Sequence, residues 1–148
     1  MTETKRIQTN AWLMLLFIPL FVTGYMLAVY EESLFGLFEW GYWTLISALF
    51  IFAVWNTTIT KGPSKWAATS MAAFLMQLAV LSLFLGPFSI YSMFFVFYAV
   101  AAVVLITFIL ALKKTDRFKG LIALFLGLSI VMVVYMAVIQ SLWGVNWM

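Results

Sequence analysis

Cysteine and histidine are both absent from this chain of 148 residues. The first absence excludes disulfides, thiolate metal sites, redox pairs and cysteine nucleophiles in any compartment. The second removes the commonest general base, a frequent metal ligand and the usual axial ligand of membrane haem b. Haem-bearing redox subunits and zinc-dependent intramembrane hydrolases are therefore poor fits. Charge is scarce too: Asp, Glu, Lys and Arg make up 9% of the chain, against about 25% in a globular domain. So few charges cannot cover the surface that a soluble domain of this size exposes. There is no phosphate-binding glycine loop, metal-ligand series or nucleophile elbow, so no cofactor or metal is expected.

What is present is apolar. Hydrophobic residues reach 66% and aromatic residues 19%, gathered into five runs: Ala11 to Tyr30, Glu39 to Trp55, Ala67 to Leu85, Ile90 to Leu112 and Leu121 to Leu142. Each is close to the ~20 residues that a helix rising ~1.5 Å per residue needs to cross hydrocarbon. Backbone in hydrocarbon must satisfy its own hydrogen bonds, which makes runs of this length helices. None alternates polar and apolar residues, so a β-barrel fails. The expected fold is all-α: one domain, a polytopic integral membrane protein built as a bundle of five transmembrane helices. Lys5 and Arg6 ahead of the first run imitate a secretory signal. That run is too long for one, and no small-x-small cleavage site ends it before Glu31. Pro19 is expected to kink it. Breaks fall at Glu31 to Gly36, Lys61 to Lys65, Gly86-Pro87 and Lys113 to Lys119. The Gly-Pro pair predicts a tight antiparallel hairpin between the third and fourth helices.

The positive residues set the direction. With the N-terminus cytoplasmic and the C-terminus outside, Lys5, Arg6, Lys61, Lys65, Lys113, Lys114, Arg117 and Lys119 all fall inside, and these are all 8 Lys and Arg of the chain. Short loops are where this bias is most informative. Glu31, Glu32 and Glu39 fall outside. The 7 tryptophans agree: Trp12, Trp55 and Trp66 mark the inner interface, and Trp40, Trp43, Trp143 and Trp147 the outer one. The net charge of +3 is thus a topology signal and not a footprint for nucleic acid.

Near the middle of the runs there is no Asp, Glu, Lys or Arg, which argues against proton pumps, sodium-coupled carriers and intramembrane carboxylate proteases. Uncharged polar groups remain. Counted from the outer ends, Thr23, Ser47, Gln77, Tyr98 and Tyr135 lie roughly 10 to 12 Å deep, one on each helix. Tyr25, Thr44 and Gln140 are shallower. Such groups either bond one another across helices, at about 1 kcal/mol or less each, or line a cavity open to the outside with Glu39 near its mouth. Gln77, Tyr98, Tyr135, Tyr25, Ser47 and Glu39 are the candidate ligand residues. Glu31, Glu32 and Glu39 form an acidic outer face for a partner or cation, or simply a solvated loop. Lys113, Lys114, Arg117 and Lys119 suit anionic lipid headgroups. Small residues spaced by four, Gly24 with Ala28, Ala68 with Ala72 and Ala123 with Gly127, permit close helix approach.

The functional expectation is a non-enzymatic accessory or regulatory membrane subunit, docking on a protein partner or a second copy. The alternative is an outward-facing binding or transport protein for an apolar or amphiphilic molecule or lipid. The polar groups of the outer half, against an inner half read as almost wholly apolar, predict a site that opens outward. Compactness and the lack of sorting signals point to a bacterial plasma membrane.

Overall fold

The computed structural model describes residues 2–85 and 89–144, apart from the side chains of Glu32 and Leu85. Regular structure among the described residues is helical throughout: α1 (Glu3–Leu15), α2 (Phe17–Tyr30), α3 (Glu32–Ile59), α4 (Ser64–Leu85), α5 (Ser92–Lys114) and α6 (Lys119–Leu142). Helices α1 and α2 are two parts of one rod. Among the described residues there are therefore 5 helices long and apolar enough to cross a membrane: Glu3–Tyr30, Ser33–Ile59, Ser64–Phe84, Ser92–Lys114 and Lys119–Leu142.

The expected helix number stands, but the helix ends move. The first rod starts at Glu3 instead of Ala11, and the second starts at Glu32 instead of Glu39 and runs to Ile59 instead of Trp55. Hydropathy marks where hydrocarbon can lie, whereas a helix continues until its hydrogen bonds are broken. Ser33 and Gly36 are weak breakers and stay helical, so the expected loop shrinks to Glu31 alone. A firmer stop follows α3, where Gly62 adopts φ +65° just ahead of Pro63, a conformation glycine reaches without strain. Gly86 and Pro87, the expected hairpin turn, lie outside the described residues.

Pro19 acts as anticipated. It lacks the amide hydrogen that would reach the Leu15 carbonyl, and its ring crowds that turn. The rod breaks at Leu16, whose N–H closes on the nearer Leu13 carbonyl at 3.2 Å. Thr23 donates back to the Pro19 carbonyl at 3.0 Å.

Helix α4 is the axis of the bundle: 56% of its most apolar stretch is buried, against 17% to 28% in the other four. Helices α1 and α3 pack along one side of it, and α5 and α6 along the other. Ala67, Ala68 and Met71 let the neighbours come close, and Phe74 meets Phe125 of α6 edge-on at 4.9 Å. A smaller cluster around Phe84, Phe94, Phe97 and Met136 ties α4, α5 and α6 together farther along. Helix α2 packs mainly along α3. Large apolar side chains such as Ile51, Val103 and Ile106 face outward, the pattern of a surface that hydrocarbon, not water, would cover.

Antiparallel packing gathers all 8 Lys and Arg at one end of the bundle. There the Lys61 amide donates to Glu3 Oε1 at 3.2 Å, Lys114 Nζ sits 4.2 Å from the Trp66 ring centre, and Lys119 pairs with Asp116 at 2.6 Å. This is the basic end. Glu31 and Glu39 lie toward the other, acidic end.

Candidate functional site

Phe35, Phe38, Glu39 and Tyr42 recur at helical spacing, so a single face of α3 carries them all. Gly24 of α2 lets the two helices approach on that face: a Cβ there would lie 2.7 Å from Phe38 Cε1. Because α2 leans along α3, space is left between it and α4 and α6, and two chambers occupy that space. One has a volume of about 330 Å³ and carries Glu39, Tyr42, Trp43 and Ser82 on its walls. The other, about 490 Å³, is walled by Met14, Phe17 and Val22 from the first rod, Leu78 of α4, and Leu128 and Val131 of α6. Phe21, Tyr25 and Tyr135 line both. The two therefore adjoin along these three side chains as a crevice with a polar, aromatic part toward the acidic end and an apolar part below it.

Tyr42 is held from several sides. Its hydroxyl is 3.0 Å from that of Ser82, its ring is edge-on to Phe17 at 5.4 Å and Phe21 at 6.0 Å, and it stacks beside Phe38 at 5.9 Å. Such ring pairs are worth about 0.5 to 1.5 kcal/mol beyond the area they bury, so this wall is built and not incidental. Ser82 also donates to the Leu78 carbonyl at 2.9 Å.

No family model, no curated protein and no solved structure matches this chain.

Of the residues singled out by sequence, Tyr25, Glu39 and Tyr135 come together on the crevice. Three others do not join them. Gln77 is fully buried and spans to α6: its amide donates to the Ser129 carbonyl at 3.3 Å, and the Ser129 hydroxyl donates to Gln77 Oε1. Tyr98 donates to Gln140 Oε1 at 2.8 Å, tying α5 to α6. Ser47 is exposed on α3. With α3 starting at Glu32, Ser47 lies about two turns deeper than a start at Glu39 implied, which breaks the common depth. Glu31 is exposed in the link between α2 and α3, and the Glu32 side chain lies outside the described residues. Among the described residues no set of three or more acidic side chains converges to hold a metal. Lys113, Lys114, Arg117 and Lys119 are exposed at the basic end. The Lys119 hydrogen bond, and then its charge, hold the Asp116 carboxyl below its ordinary value. That contact exists above the ordinary carboxylate range and is lost as acid protonates Asp116. Ala123 and Gly127 face outward, with nothing within 4 Å of a Cβ built at Gly127.

Sequence reasoning missed Phe35, Phe38, Tyr42 and Ser82. The signal was available: three of them share a helical face with Glu39, but a helix begun at Glu39 leaves Phe35 and Phe38 in a loop.

It also misjudged the basic half, expected to be almost wholly apolar. Asn10, Asn56, Thr60, Ser70 and Thr115 are all buried toward that end. Asn56 finds no partner for either amide atom among the described residues, nor do Asn10 Oδ1 and Thr60 Oγ1. Asn10 and Asn56 lie where α1 and α3 continue past their apolar runs, so their polarity reads in sequence as the end of a span.

Proposed function

We propose that the chain is a non-enzymatic, multi-pass protein of a plasma membrane that binds an amphiphilic small molecule or lipid in the crevice. In this reading the N-terminus is cytoplasmic, the C-terminus is outside, and the crevice opens toward the outer side. One observation carries it. A chamber bearing Glu39, Tyr42 and Ser82 joins an apolar chamber at Phe21, Tyr25 and Tyr135, so a single molecule can place its head in one and its chain in the other. Both volumes fall in the range of about 300 to 1,000 Å³ usual for ligand sites. No group there is a good general base without a histidine or a paired acid beside it, which argues for binding over catalysis.

A photoreactive amphiphile with a diazirine in its alkyl chain tests this in nanodiscs. Crosslinks are expected to concentrate on Phe17 to Tyr25 and Leu128 to Tyr135. Even labelling of outward residues such as Val103 and Ile106 would show that the crevice holds nothing. A second reading, an accessory subunit docking through its helices, is favoured by the outward-facing Ala123 and Gly127 of α6. A bulky Gly127→Leu exchange that releases a co-purified partner would support that role.

A further inference from the structure

The upper chamber holds more specific information than polarity. We infer that the molecule it selects is a lipophilic cation, a single-chain amphiphile with a quaternary ammonium head. This inference rests on the amphiphile-binding reading above.

Glu39 is half-buried on the chamber wall and is the one carboxylate among the described residues that line it. The chain supplies no counter-charge nearby. All 8 Lys and Arg sit at the basic end, and the ion pair Asp116 makes with Lys119 is there too. A cation that meets Glu39 therefore comes from outside the chain.

The remaining walls specify what kind of cation it is. Phe21, Tyr25, Phe38, Tyr42, Trp43 and Tyr135 all border the same space. The faces of such rings attract cations, most strongly where water is excluded. A hard divalent ion demands six or more oxygen ligands, and this chamber offers one carboxylate, phenols and a serine. A quaternary ammonium group makes no such demand. It has no N–H to satisfy, its charge is spread over methyl groups, and it is recognised by aromatic rings together with a carboxylate. Tyr42 is held through Ser82 and beside Phe38, so binding against it needs little side-chain ordering. The adjoining apolar chamber, walled by residues such as Leu78, Leu128 and Val131, takes the chain. It presents almost no polar atoms, so a second charge or a hydroxylated tail is disfavoured there.

Isothermal titration of the full chain in nanodiscs tests this with three dodecyl compounds that differ only in the head: trimethylammonium, dimethylphosphine oxide and sulfonate. The trimethylammonium compound is expected to bind at least about tenfold more tightly than the neutral one, with the sulfonate weakest. Glu39→Gln is expected to remove that tenfold preference while leaving the neutral compound's affinity within about twofold. Tyr42→Leu should weaken the cation more than the neutral compound, with Tyr42→Phe retaining most of the affinity. Unchanged helix content and elution volume of each variant show that the bundle still forms. If all three compounds bind alike and Glu39→Gln changes none of them, the cation inference is overturned while the amphiphile site stands. If none binds above the level of empty nanodiscs, both are overturned.

Discussion

Gln77 and Asn56 are both primary amides with no exposed surface, yet they sit in opposite situations. Gln77 exchanges hydrogen bonds with the backbone and side chain of Ser129, whereas neither amide atom of Asn56 has a partner among the described residues. Removing one side of a satisfied pair strands the other, while removing an unpartnered group eliminates a desolvation cost. Ser129→Ala is therefore expected to lower stability by about 1 kcal/mol. Asn56→Leu, which keeps the volume, should be neutral or stabilising by up to about 1 kcal/mol. Unfolding in mixed micelles titrated with dodecyl sulfate measures both. A loss of more than about 2 kcal/mol in Asn56→Leu would mean that its amide is bonded after all. The contrast also explains what a sequence reader can see. Gln77 stands out because an apolar run surrounds it, and Asn56 escapes notice because it follows Trp55, where hydropathy has already signalled the end of the span.

At the scale of elements, the five rods could be read from apolar runs because hydrocarbon leaves the backbone no other regular option. Their ends could not, since hydropathy is silent once the lipid gives way to headgroups, and that is why Phe35 and Phe38 were misplaced in a loop. The face that they share with Glu39 and Tyr42 follows from helical geometry once α3 begins at Glu32. The crevice depends on a further element property, the packing of α2 along α3 beyond the break at Leu16. Pro19→Ala restores a donor for the Leu15 carbonyl and removes the ring clash, so the first rod should straighten and gain about 1 kcal/mol or more. Labelling of the Leu128 to Tyr135 stretch by the photoreactive amphiphile should then fall several-fold. Undiminished labelling, with stability unchanged, would assign the break to packing and not to proline.

For the whole molecule, the segregation of charge is the feature most plainly written in the sequence, and antiparallel packing turns it into a basic and an acidic end. The proposed orientation can be tested without background because the chain has no cysteine. Glu31→Cys should react with a membrane-impermeant maleimide in intact cells, and Asp116→Cys only after the membrane is opened. The reverse pattern would invert the assignment of ends. The single-residue link at Glu31 has one more consequence. It ties α2 to α3 at the acidic end and limits how far the outer mouth of the crevice can widen, so a bulky amphiphile is expected to arrive sideways between α2 and α6, out of the surrounding lipid. The quantity that fills such a site is the ligand's mole fraction in the bilayer. Affinity referred to water should then tighten by roughly fourfold for each added methylene through partitioning alone, even for methylenes that never touch the protein.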